Sequence, residues 1–153
     1  MIFAIDPGNE MSACVMMDQD DGFRPFDARK ISNQELLEFL KREISPGDVM
    51  AIEMVVSYGM PVGKEVFDTC VWIGRFWEAA ISEEASVDTV TRMEVRKHIC
   101  HNGMAKDSNI RQALIDRFGP VGTKKNPGWF YGFFRDLWSA YAVGLTWAER
   151  DLP

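Results

Sequence analysis

Cysteine and histidine are scarce in this 153-residue chain, and what they leave out narrows its chemistry. Cys14, Cys70 and Cys100 stand far apart with no C-x-x-C pair, and the two histidines, His98 and His101, form no cluster with them. A zinc site or a disulfide framework is therefore not expected, and a reducing, cytoplasmic setting is. His98 and His101 read as helix surface or helix end rather than as ligands. The longest apolar runs are too short to span a bilayer, and no basic leader segment precedes the first strand. Internal repeats, low-complexity tracts and linkers are missing as well, so residues 1–153 are expected to form one domain. Positive charge is in short supply: the formal net charge is −6. Proteins that hold nucleic acid usually present a basic face, so tight binding to phosphates here requires local positive charge or metal ions.

What is present has the composition of a globular protein, 46% hydrophobic and 26% charged, which is enough for a sizeable core. The chain opens on Ile2-Phe3-Ala4-Ile5-Asp6-Pro7-Gly8, an apolar strand that ends in one carboxylate and a sharp turn. Residues 12–18 read as a second strand, Asp20-Asp21-Gly22 as a hairpin turn and residues 23–30 as a third strand. Ser32 and Glu35 have capping-box spacing, and Leu36, Leu37, Leu40 and Ile44 follow at helical intervals until Ser45-Pro46-Gly47. Residues 48–56 form a fourth buried strand that carries one acid, Glu53. After a Gly/Pro loop comes a long helix, Lys64–Ser82, with two apolar stripes. One comprises Val66, Cys70, Ile73, Trp77 and Ala80, and the other Phe67, Val71, Gly74 and Ile81. So wide an apolar arc is either deeply buried or shared with a partner subunit.

A short strand at 87–90 leads to a second capping box, Thr91 with Glu94, whose helix runs to His101 and is ended by Asn102-Gly103. Asp107 or Ser108 is expected to cap the next helix, with Ile110, Ala113, Leu114 and Phe118 on its apolar side. Residues 121–132 read as loop. The last helix, at about 134–149, has Ala140, Gly144 and Ala148 on a flat face suited to close contact with the sheet. The order βββαβαβααα implies an α/β fold with a mixed sheet covered on both faces.

Three acids stand out by position. Asp6 ends the first strand, Glu53 lies near the end of the fourth, and Asp136 falls in the first turn of the last helix, where the helix dipole favours its ionised form. If the first and fourth strands are neighbours, Asp6 and Glu53 emerge at one edge, and the last helix must deliver Asp136. Three carboxylates brought together repel one another, so one stays protonated or cations fill the space. Oxygen ligands without histidine or cysteine point to Mg²⁺, with Mn²⁺ as substitute, and two such ions turn a charge of about −3 into about +1. That is phosphodiester-hydrolysing chemistry. Each acid also has an ordinary reading: Asp6 as a turn cap, Glu53 paired with Arg92 or Lys106, and Asp136 as a plain helix-start acid.

The stretches FAIDPGNEMSACVMMD, AIEMVV, HNGMAKD and DLWSAYAVGL resemble, in order and spacing, the RuvC-type Holliday-junction resolvases, and most closely their phage-encoded members. This resemblance implies a ribonuclease H-like fold with a five-stranded mixed sheet. It also implies a homodimer that cuts branched, four-way DNA junctions in recombination, repair or phage DNA processing, using two Mg²⁺ per site. Under it Asp6, Glu53 and Asp136 match the catalytic metal ligands. The family's last-helix motif D-x-x-D-A reads here Asp136-Leu137-Trp138-Ser139-Ala140, so Ser139 replaces an acid and a hydroxyl or water is left to complete the shell.

Lys106 falls where the family keeps a basic residue near the scissile phosphate, and it reads equally as a solvated lysine. Tyr58 and Met60 lie in a loop that approaches the junction centre in the family; alternatively they pack on the long helix. Lys124, Lys125 and Trp129 are candidates for contact with the DNA arms. The Lys64–Ser82 helix is the expected dimer face. Two other readings stand beside the resolvase: a ribonuclease acting on RNA or RNA–DNA hybrids, and a junction-binding protein with weak catalysis.

Overall fold

The computed structural model describes residues 1–150. Five strands form one sheet: β1 (Ile2–Asp6), β2 (Met11–Asp18), β3 (Arg24–Ser32), β4 (Val49–Met54) and β5 (Ser86–Thr91). Their order is β3-β2-β1-β4-β5, with β1–β2 and β2–β3 antiparallel and β1–β4 and β4–β5 parallel. The helices are α1 (Asn33–Glu43), α2 (Lys64–Ser82), α3 (Arg92–Cys100), α4 (Asp107–Phe118) and α5 (Leu137–Glu149). The expected element order and mixed sheet are both present. None of the described helices is long and apolar enough to cross a membrane.

Side chains alternate across the sheet and divide the core in two. Phe3, Ile5, Cys14, Met50 and Ile52 face α1 and α2, where Leu36, Leu40, Ile73 and Phe76 meet them. Ile2, Ala4, Ala13, Val15 and Ala51 face α5, beside an aromatic cluster of Phe130, Trp138 and Tyr141. The second face is lined by small residues, so α5 lies close to the sheet. A Cβ on Gly144 would stand 2.6 Å from the Ala4 Cβ and 2.7 Å from the Met17 Cε.

Both capping boxes form as expected, on Ser32/Glu35 and on Thr91/Glu94. Other ends differ. β3 runs on to Ser32, which is itself the cap of α1, with no intervening loop. Helix α3 stops at His101, which takes the left-handed conformation (φ 54°) itself, rather than at Asn102-Gly103. Lys106, not Asp107 or Ser108, caps α4, its backbone N–H donating to Asn109 Oδ1 at 2.9 Å. Helix α5 starts at Leu137, because residues 128–135 are spent in tight turns and Arg135 is left-handed at φ 47°. The 121–132 segment is more than a loop: Gly122 and Pro127 bridge, and Trp129 and Phe130 pack into the aromatic cluster.

Candidate active site

The turn after β1 is fixed by a small buried network. Ser12 Oγ donates to Asn33 Oδ1 at 2.6 Å and accepts from the Gly8 N–H at 3.1 Å, while Asn33 Nδ2 donates to the Gly8 carbonyl at 2.8 Å. Gly8 is sterically required, since a Cβ there would fall 2.3 Å from the Met11 carbonyl oxygen. This clamp ties the end of β1 to the start of α1 and holds Asp6 at the sheet edge.

Register then sets a row across the sheet. Lys30 of β3 is opposite Ala13 of β2, and Ala13 is opposite Asp6 of β1. The β1–β4 pairing, Ile5 with Ile52, carries on to Asp6 beside Glu53. By alternation all four side chains rise from the face covered by α5. Asp136 is brought over that face as the N-cap residue of α5, one position before the first turn, and its carboxylate makes no capping hydrogen bond.

The three acids share one electrostatic field, although two are held by cations. Burial, then the charges of Glu53 and Asp136, lift the Asp6 carboxyl from the usual range to about 7, against the opposing pull of Arg92 and Lys30. Lys30 Nζ donates to Asp136 Oδ2 in a part-buried ion pair. Arg92 Nε donates to Glu53 Oε1 at 3.2 Å, and its Nη1 to Asp107 Oδ1 at 2.9 Å. The ordinary reading of Glu53 as the partner of Arg92 is therefore realised. Among the described residues, no three His, Cys, Asp or Glu side chains stand close enough to share one metal ion. The donor set is nevertheless all hard oxygen, and a carboxyl held near pH 7 is one that an added cation would ionise. In that chemical sense Asp6, Glu53 and Asp136 fit Mg²⁺ or Mn²⁺.

A cleft of about 820 Å³ reaches Asp136 but not Asp6 or Glu53, and is lined by Asp107, Arg111, Phe133, Arg135, Asp136 and Ser139 among others. Lys106 lies exposed at the start of α4, and Lys124 and Lys125 lie exposed between Gly122 and Pro127. Tyr58 and Met60 do not pack on α2. They are 66% and 70% exposed, in a loop where Val55 and Val56 also reach solvent. Trp129 is turned inward, stacked on Phe118, with its indole N–H donating to Tyr141 Oη at 3.1 Å, so it is not a free surface for DNA. His98 pairs with Glu149 at 2.9 Å. On α2 the first stripe is partly buried through Ile73 and Ala80. The second is open, with Phe67 and Val71 more than 60% exposed and Ile81 46%.

Sequence reasoning missed Lys30, Ser12 and Asn33. Lys30 was legible only through strand register, which places it two strands from Asp6. Ser12 and Asn33 look like an ordinary strand residue and an ordinary helix-start residue until the Gly8 turn brings them together.

No protein-family model and no curated protein matches the chain. Solved structures do. Thermus thermophilus RuvC is 18% identical, with a TM-score of 0.67 over 96% of this chain and 92% of that one. T. thermophilus RuvC in complex with Holliday junction substrate is 16% identical, with a TM-score of 0.66 over the same shares. At such identities the likeness is one of architecture, and the sheet order, the crossing of α5 and the helices on both faces give this chain the ribonuclease H-like fold of RuvC.

Proposed function

We propose that the chain is a divalent-metal-dependent, structure-selective DNA endonuclease that resolves four-way junctions. One observation carries the reading: burial at the end of the first strand, with the charges of Glu53 on the fourth strand and Asp136 at the cap of the last helix, holds Asp6 near pH 7. The fold is one shared with a protein whose structure is known in complex with Holliday junction substrate. Asp6 and Glu53, with Asp136, are the residues that would hold Mg²⁺ or Mn²⁺. The chemistry such a cation supplies is Lewis-acid activation of water and compensation of charge on a phosphodiester.

The chain's own residues do the positioning. The Ser12–Asn33–Gly8 clamp keeps Asp6 at the sheet edge, and Arg92 orients Glu53. The cleft beside Asp136, with Arg111 and Arg135 on its wall, is the proposed seat of a DNA strand. Lys106, Lys124 and Lys125 supply the local positive charge that the acidic total withholds. Exposed Tyr58 and Met60 form an apolar tip that can stack on unpaired bases at a junction centre. The open α2 stripe of Phe67, Val71 and Ile81 is the proposed homodimer face, which would set two active sites on opposed strands.

The test is a nicking assay on a synthetic four-way junction, an RNA–DNA hybrid and single-stranded RNA. Paired cuts in the junction with Mg²⁺, none after chelation and none by Asp6→Asn are expected. Preferential cutting of the hybrid would transfer the reading to a ribonuclease. Ser139 and the cation-held acids favour one further reading, a junction-binding protein of weak activity. Junction binding without turnover in either Mg²⁺ or Mn²⁺ would establish that instead.

A further inference from the structure

Resting on the nuclease reading, we infer that the sheet edge beside the cleft carries a stacking site for single-stranded nucleic acid. Phe26, Tyr131 and Phe134 form it, and Arg111 and Arg135 take the phosphates. The three rings are 62%, 47% and 52% exposed, although the fold holds each of their segments in place. Strand β3 is an edge of the sheet, and its register slips at one point. Pro25 is opposite Met17 and Asp27 opposite Met16, which leaves Phe26 as the extra residue of a bulge. A bulge re-aims the side chain it carries, and here the ring goes to solvent. Tyr131 and Phe134 come from the turns before α5, which Phe130 and Phe133 anchor in the aromatic cluster. A Cβ on Gly128 would collide with the Pro120 carbonyl oxygen, so the start of these turns is fixed as well. Phe26 and Tyr131 line one hollow of about 190 Å³, Phe134 lines the cleft of about 820 Å³, and Phe133 lines both. Tyr58 and Met60 line neither.

Charge selects the occupant. The acids lining the hollow and the cleft are already paired. Asp27 accepts from Arg29 at 2.7 and 2.8 Å, Asp136 is held by Lys30, and Asp107 shares Arg92 with Glu53. Arg111 and Arg135 stand on the cleft wall, and among the described residues no carboxylate pairs with either. At the far end the β2–β3 hairpin sets Asp18, Asp20 and Asp21 against Arg24, which disfavours phosphates there. A strand is therefore held by its phosphates at the cleft and by its bases on the rings. Exposed aromatic faces beside free guanidinium groups suit nucleotides whose bases are unpaired. In a duplex the base faces are already stacked, so the rings discriminate against it. Through Asp136 the cleft joins this platform to the acids, so the strand to be cut arrives unpaired.

Binding measured in a chelator tests this apart from any turnover. Anisotropy of a fluorescein-labelled oligo-dT at low salt is expected to show tighter binding than a duplex of equal length. Phe26→Ala with Tyr131→Ala should weaken oligo-dT binding at least about tenfold. Duplex binding and Tm should stay in place, because both rings are exposed. Tyr131→Phe keeps the ring and should bind as the wild type does. Should the double variant melt early, Phe134→Ala decides in its stead, with a loss of oligo-dT binding expected. A wild-type protein that prefers duplex, or ring variants that bind oligo-dT undiminished, would overturn the inference. Loss of self-association in light scattering with oligo-dT binding unchanged would overturn it too, and would assign the rings to a second copy. Junction nicking in Mg²⁺ by a protein that does not bind oligo-dT would overturn this inference alone. Ring-dependent oligo-dT binding without nicking in Mg²⁺ or Mn²⁺ would overturn the nuclease reading and leave the stacking site.

Discussion

Replacing Asp6 with asparagine is expected to stabilise the metal-free protein, and to do so only at neutral and alkaline pH. In the unfolded chain the Asp6 carboxyl ionises near 3.8, whereas in the folded chain it ionises near 7. Between those values the folded protein keeps a proton that the unfolded chain has released. Stability therefore falls as pH rises through the window, and above it the loss is complete. The interval of about three units corresponds to about 4 kcal/mol, and water at the mouth of the sheet reduces this to roughly 2–4 kcal/mol. For a chain of this length that is roughly 5–15 °C in Tm. Asparagine does not titrate, so the difference in Tm, variant minus wild type, should be near zero at pH 4, grow through pH 5–7 and level off by pH 8. Thermal unfolding followed by far-UV circular dichroism in a chelator measures it. Millimolar Mg²⁺ at pH 8 should then raise the wild-type Tm and leave the variant unmoved. A difference independent of pH, or a variant less stable than wild type at pH 8, would refute the account of Asp6 as a buried carboxyl beside two other acids.

Four further outcomes are expected. Gly144→Val should destabilise by about 2 kcal/mol or more in urea unfolding, because its side chain would meet Ala4 Cβ, which cannot move without the strand. Asn33→Leu should cost about 2–4 kcal/mol, since it leaves the Ser12 hydroxyl and the Gly8 carbonyl without their partner in a buried clamp. Tyr58→Ala should leave urea stability within about 0.5 kcal/mol, given its exposure, while weakening junction affinity in a gel-shift titration by about 1–3 kcal/mol. Phe67→Asp with Val71→Asp should give a monomer in light scattering at concentrations where the wild-type chain is a dimer, with the far-UV spectrum unchanged.

Elements governed by local rules were readable before any coordinates. The apolar β1 run, both capping boxes and the flat Ala140–Gly144 face of α5 all behave as their spacing implies. Misread features depended on distant partners. Asp136 lies outside the helix rather than in its first turn, because the aromatic cluster around Phe130 and Tyr141 fixes where the preceding turns end. Trp129 looked like a surface residue among glycines, but Phe118 and Tyr141, far away in sequence, draw it inward. Of the two readings of Tyr58, packing on α2 is not realised, because the loop after β4 carries it into solvent. Among the charges, the sequence named Arg92 as a candidate for Glu53, while the Lys30–Asp136 pair bridges 106 positions and needs both the strand register and the docking of α5.

The close seating of α5 on β1, made possible by Gly144 over Ala4, joins the final helix to the opening strand. A growing polypeptide carries Asp6 and Glu53 first but cannot gather the third acid until α5 has been made and has docked. Maturation of the fold and gathering of the acids are then a single event, so partly made chains lack the assembled acid site.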